Sequence, residues 1–199
     1  MYVLIEGIDT TGKSTLVESL SKLSDVFVTK EPGGTPLGQE IRKLIMNQDL
    51  PKTRMAEVFL FLADRANHYE EVVEPNRGTK IVVSDRGYIS GISYAWATNN
   101  LNFDELVNLN KIALKNNQPD KIIFLKTTST LLEERLGAKV ADGIESRGIS
   151  YLMWAQTCME TTIHNVPVPV LCIDIVGKTR EEILKEAKKF IWDEYEVKN

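Results

Sequence analysis

Only two cysteines occur in 199 residues. Cys158 and Cys172 form no metal-ligand spacing, and two thiols point to a reducing compartment and buried side chains. Histidine is equally scarce: His68 and His164 stand alone and read as structural. Basic residues are in deficit, 24 against 28 acidic, for a net charge of −4. That argues against a general nucleic-acid or membrane surface, while leaving room for a local basic pocket. No run approaches the length of a membrane span, and the first apolar segment starts too early to be a signal peptide. Repeats, low-complexity tracts and interdomain linkers are missing as well. The expectation is a cytoplasmic chain forming one α/β domain over 1–199, or one domain with a mobile insert.

What is present begins at the start of the chain. Met1–Glu6 is a short apolar run suited to a strand buried on both faces. It leads into Gly7-Ile8-Asp9-Thr10-Thr11-Gly12-Lys13-Ser14, which satisfies G-x-x-x-x-G-K-[ST]. Leu16, Leu20 and Leu23 then recur at helical spacing. Strand, loop and helix are the context this phosphate-binding motif requires. Glycines let backbone N–H groups turn inward onto phosphate oxygens, and the helix N-terminus adds a favourable dipole. Lys13 suits the β- and γ-phosphates, and the Ser14 hydroxyl suits Mg²⁺.

Further along, Val26–Thr29 predicts a second strand ending at Glu31-Pro32-Gly33-Gly34-Thr35. Helices are predicted around Leu37–Ile45 and over Met55–Val73, the latter apolar at Val58, Phe59, Leu62 and Ala66. Lys80–Ser84 predicts a third strand ending at Asp85-Arg86, with helices over Ile89–Ala97 and Phe103–Leu114. Asp120–Lys126 and Val168–Ile173 are the fourth and fifth strands. Helices fall at Ser129–Leu136, Tyr151–His164 and Arg180–Trp192, the last with a solvated charged face, and a polar stretch spans Gly137–Gly148. Alternating strands and helices imply a five-stranded, mainly parallel sheet covered on both faces. Ligands in such sheets sit at the carboxyl ends of strands. The phosphate loop, Glu31–Thr35 and Asp85-Arg86 should therefore converge on one cleft.

Asp85 can serve as a carboxylate near Mg²⁺, with helix capping as the bland alternative. Phe61 and Arg65 lie one helical turn apart and could stack on and hydrogen-bond a planar base. A core Phe and a surface Arg paired with Asp64 fit the pattern equally well. Tyr94, Trp96 and Trp154 could all be core aromatics.

The ordered set Gly7–Thr15, Thr29–Thr35, Arg42, Leu60–Arg65, Asp85-Arg86 and Ser90–Tyr94 resembles the thymidylate kinases, which transfer the γ-phosphoryl of ATP to dTMP. The resemblance spans essentially the whole chain, and Glu31-Pro32-Gly33-Gly34-Thr35 is its most specific element. It implies a P-loop nucleoside monophosphate kinase fold with a short lid at about 137–148, Mg²⁺ as cofactor, and a homodimer. Ser14 and Asp85 would serve the metal, partly through water. ATP would lie on Gly7 through Thr15 and on Arg135. Asp9 would contact the deoxyribose 3′-hydroxyl or the Mg²⁺–phosphate assembly, and Glu31 belongs to the dTMP side. Arg42 and Arg86 would hold the dTMP phosphate, Phe61 would stack on thymine, and Arg65 would hydrogen-bond its edge. Tyr94 would fill the space a ribose 2′-hydroxyl needs.

The chain also departs from that pattern. Gly87 stands where an aromatic is usual, with Tyr88 one residue later. Gly91 occupies a position that often contacts the base, alongside Tyr94 on the dTMP side. Ala95 replaces a frequent Gln, and Lys30 a frequent Arg. The lid has few arginines: Lys139 and Arg147 lie within it, Arg135 just before it, and Gly143 stands where an Arg is common. Arg147 is the candidate for neutralising transition-state charge, against the alternative of a surface pair with Glu145. Competing readings are a kinase for another nucleoside monophosphate or deoxynucleoside, and a P-loop nucleotide switch that transfers no phosphate.

Overall fold

The computed structural model describes residues 1–99, 101–136 and 148–193. Most of the stretch expected to form a lid, including Lys139, Gly143, Glu145 and Arg147, lies outside them. Five strands form one sheet: β1 (Tyr2–Glu6), β2 (Val26–Lys30), β3 (Ile81–Asp85), β4 (Lys121–Lys126) and β5 (Val170–Asp174). Their order is β2-β3-β1-β4-β5, and all four pairings are parallel. The central strand β1 is buried along its whole length, which is why its sequence is continuously apolar up to Glu6.

Alternation along β1 divides the core in two. Tyr2 and Leu4 face a large cluster with Val58, Leu62, Ile89, Ile92, Leu106 and Leu152. Val3 and Ile5 face a smaller one with Leu16, Leu20, Ala187 and Ile191. The first layer is built by α3 (Arg54–His68), α5 (Tyr88–Asn99), α6 (Phe103–Ala113) and α8 (Ile149–His164). The second is built by α1 (Lys13–Leu20) and α9 (Arg180–Trp192). The remaining helices are α2 (Pro36–Met46), α4 (Glu74–Asn76) and α7 (Ser129–Leu136).

Local chemistry sets the helix starts. Thr35 caps α2 by accepting from Gly38 N–H, with Pro36 at the first helical position. Thr179 and Glu182 close a capping box on α9. The predicted helix Met55–Val73 is divided: after α3, residues Tyr69–Val73 take π-helical pairing, and the Glu74 N–H reaches the Tyr69 carbonyl five residues back.

Several apolar side chains point outward, against expectation. Phe59 is exposed although it shares α3 with buried Val58 and Leu62. Trp154 is exposed rather than a core aromatic, whereas Trp96 packs against Phe103. Cys172 is exposed on β5, an edge strand, while Cys158 is buried and burial pushes its thiol up to about 11. Among the described residues no helix is long and apolar enough to cross a membrane.

Candidate active site

The carboxyl ends of β1, β2 and β3 bring the three polar segments together. Gly7 leaves β1 with φ 146°, and a Cβ there would come within 2.5 Å of the Leu125 carbonyl oxygen, so the loop can pass β4 only as glycine. Thr10 takes a left-handed conformation with φ 66°. Inside the loop, Lys13 Nζ donates to the Ile8 carbonyl at 2.7 Å and Thr11 Oγ1 donates to the same oxygen at 2.9 Å. Burial, with the Arg86 charge nearby, lowers the Lys13 ammonium to about 8. Ser14 Oγ donates to Asp85 Oδ2 at 2.9 Å. Asp85 thus turns toward the phosphate loop rather than serving only the helix that follows it.

Arg86 sits just past β3 with φ 70°, a left-handed backbone uncommon for a side chain of this size. Strain of this kind persists where the surroundings over-determine it. Here Nη1 donates to the Gly7 carbonyl at 2.9 Å and to Ser90 Oγ at 3.0 Å, while Nη2 pairs with Asp9 Oδ1. The guanidinium also lies 5.5 Å from the centre of the Tyr94 ring. Behind Ser90 stands Glu6, buried at the end of β1 and accepting from both the Ser90 hydroxyl and its N–H. Burial holds the Glu6 carboxyl above its usual range despite these bonds.

A second network starts at Glu31. Its two carboxylate oxygens take Arg65 Nε and His68 Nδ1, each at 2.8 Å, and His68 Nε2 lies 2.7 Å from Thr29 Oγ1. Burial alone would raise the Glu31 carboxyl, but the Arg65 charge and the His68 hydrogen bond outweigh it and hold the carboxyl low. Arg65 is therefore not a surface residue paired with Asp64: it is buried against Glu31 and Asn110, while Asp64 accepts from Gly33 N–H. His68 is structural in the sense that it anchors Glu31. His164 is exposed and bonds the Glu160 carbonyl of its own helix.

Two adjoining cavities result. One is mainly apolar, lined by Phe61, Arg65, Gly91, Tyr94 and Tyr151 among others. The other is polar and follows the phosphate loop past Thr10, Gly12, Lys13, Ser14, Thr15 and Asp85. Asp9, Glu31, Arg42 and Arg86 line both. Arg42 is steadied by a bond to the Pro32 carbonyl at 3.1 Å, and Arg135 reaches the polar cavity through a bond to the Thr10 carbonyl at 2.6 Å. Glu6, Asn110 and Tyr151 join the site without having been singled out from sequence. Glu6 had a readable signal, a charge ending a buried strand; Asn110 and Tyr151 had none. Among the described residues no group of three or more His, Cys, Asp or Glu could hold a metal.

The family model for thymidylate kinase matches residues 5–186. The thymidylate kinase of Sulfurovum sp. (strain NBC37-1) is 51% identical over 175 residues, covering 87% of this chain and 91% of that protein. That of Campylobacter concisus (strain 13826) is 48% identical over 195 residues, covering 96% and 98%. In fold, the chain is similar to the thymidylate kinase of Ehrlichia chaffeensis, with a TM-score of 0.75, 22% identity, and coverage of 96% of this chain and 98% of that one. With a family model spanning nearly its whole length and relatives near half identity, this chain belongs to the thymidylate kinase family.

Proposed function

We propose that the chain transfers the γ-phosphoryl group of ATP to dTMP, giving dTDP. The observation that carries this reading is the pair of adjoining cavities sharing Asp9 and Arg86. A nucleoside monophosphate in the apolar cavity presents its phosphate to the same guanidinium that borders the phosphate loop. Phe61 offers a ring to a pyrimidine and Arg65 offers donors to its edge. Tyr94 closes the sugar side, and Arg42 with Arg86 holds the acceptor phosphate.

Phosphoryl transfer of this kind needs positioning and charge stabilisation more than covalent chemistry from the protein. Gly7 through Thr15 cradle the ATP phosphates, Lys13 follows the charge on the migrating group, and Arg135 lies beside the same cavity for the nucleotide. Ser14 and Asp85 are hard oxygen donors facing the polar cavity, a set that suits Mg²⁺ completed by phosphate and water. The metal would neutralise phosphate charge there. A lid over about 137–148 would exclude water, with Arg147 supplying a cation. The reading includes a homodimer, and Leu37 and Leu44 on α2 and Phe59 on α3 are exposed apolar side chains that a second copy would cover. A coupled assay with ATP and a panel of nucleoside monophosphates tests the reading. Fastest turnover with dTMP supports it, and turnover with another monophosphate only, or ATP hydrolysis without an acceptor, contradicts it.

A further inference from the structure

Arg65 is held more firmly than a base-reading arginine requires. Nε is taken by Glu31, and Nη1 donates to Asn110 Oδ1 at 2.5 Å. Asn110 is itself buried and cannot flip without loss, because its Nδ2 donates to the Leu106 carbonyl one turn earlier at 2.7 Å. The amide oxygen is thus committed to Arg65. Gly91 lies against the same guanidinium: an added Cβ there would fall 3.0 Å from both Nη1 and Nη2. The guanidinium occupies the space a larger residue would fill. Three elements, the β2 end, α6 and α5, fix its plane, and it borders the apolar cavity beside Phe61.

A guanidinium can only donate. A donor fixed in direction favours a carbonyl on the facing base edge and disfavours an amino group, which leaves two donors opposed. Thymine carries a carbonyl where cytosine carries its exocyclic amine. A site built to pair a particular polar group rejects the analogue lacking it far better than one that merely fits its shape. Such rejection requires that the donor be unable to swing away.

We propose that Asn110 is a positioning residue for base selection: with Glu31, and in the space left by Gly91, it locks the Arg65 guanidinium so that the pocket accepts dTMP and rejects dCMP. This rests on the reading that the apolar cavity takes the base of dTMP. It also gives Gly91 a role, since the side chain that could have touched the base is exchanged for a rigid arginine.

The test compares kcat/KM for dTMP and dCMP in wild type, Asn110→Ala, Asn110→Asp, Gly91→Ala and Arg65→Ala, with melting curves for each. Asn110→Ala is expected to raise the KM for dTMP about tenfold, as for loss of a hydrogen bond to a charged group, with a smaller change in kcat. Its preference for dTMP over dCMP should shrink by a similar factor. Gly91→Ala should shrink the preference by pushing the guanidinium, independently of whether Asn110→Ala folds well. Asn110→Asp keeps an acceptor for Arg65 but loses the bond to the Leu106 carbonyl, so it should retain more of the preference than Asn110→Ala does. If Asn110→Ala and Gly91→Ala both discriminate like wild type while Arg65→Ala does not, the positioning role is overturned and the base assignment survives. If Arg65→Ala also discriminates like wild type, the base assignment falls and takes the proposal with it.

Discussion

Arg86 Nη2 meets Asp9 Oδ1 at 2.5 Å, tying the end of β3 to the interior of the phosphate loop. Both side chains are less than a quarter exposed, so the pair is poorly screened and its geometry is set by the fold. The same arginine bonds the Gly7 carbonyl and Ser90, whose hydroxyl is held by Glu6. One guanidinium therefore ties the phosphate loop to Ser90 and to the apolar cavity that Ser90 lines.

Under the proposed function, Lys13 serves the ATP phosphates. Lys13→Ala is expected to fold and to lose roughly 10²–10³ in kcat, the scale for removing one preorganised charge contact. Because burial lowers its ammonium to about 8, the KM for ATP should rise as pH passes that value. Stability of the nucleotide-free protein should move the other way. Between about 8 and the ordinary lysine value of 10.5 the unfolded chain binds the extra proton, so stability rises with pH across that window. Lys13→Met should flatten the rise, as read by urea melts at several pH values. Near-normal kcat in folded Lys13→Ala contradicts the assignment.

Glu31 sits between Arg65 and His68, each at 2.8 Å. Its carboxyl is lower when folded than unfolded, so its stabilisation is present above the ordinary carboxylate value of 4.5. That contribution is lost as pH falls through the depressed folded value. Glu31→Gln leaves Arg65 buried without its counter-charge and is expected to cost about 3 kcal/mol at neutral pH. The difference from wild type should narrow in acid, as measured by chemical denaturation. A constant difference down to low pH would show that the carboxylate charge is not what matters.

Tyr94 lies under Arg86 and borders the apolar cavity. Tyr94→Phe should still disfavour ribo-TMP, because the ring is retained. Tyr94→Ala should narrow the gap between ribo- and deoxy-substrates by removing the clash. Steady-state rates with both substrates decide it, and undiminished selectivity in Tyr94→Ala would reduce the ring to core packing.

Arg135 borders the polar cavity through the Thr10 carbonyl. Arg135→Ala should mainly raise the KM for ATP. Arg147→Ala should lower kcat more than it raises the KM for dTMP, since under the proposed function its guanidinium acts on transition-state charge. An unchanged kcat for Arg147→Ala would move that role to Lys139 or to a neighbouring subunit.

The strand-loop-helix at Met1–Leu20 could be read directly, because a doubly buried strand and a glycine-rich loop constrain residue types at every position, although the helix stops short of Leu23. The mainly parallel sheet and the convergence of Glu31 and Asp85-Arg86 also followed from the alternation of strands and helices, whereas the strand order did not. Periodicity was weaker at choosing faces: Leu37, Leu44 and Phe59 recur like core residues yet stand exposed. The π-helical pairing at Tyr69–Val73 left no mark in the pattern. Pattern alone left Arg65 open between surface and site, and its partner Asn110 stayed hidden because the contact joins residues 45 positions apart. An asparagine in a helix carries no sign of which side it bonds.

The most direct measurement is the kinetics of Arg86→Ala against wild type, with dTMP varied at saturating ATP and nucleotide binding measured separately. The account expects kcat/KM for dTMP to fall by roughly 10³, the upper range for losing one preorganised donor, with ATP affinity far less affected. A folded Arg86→Ala protein that phosphorylates dTMP at near wild-type efficiency would contradict it.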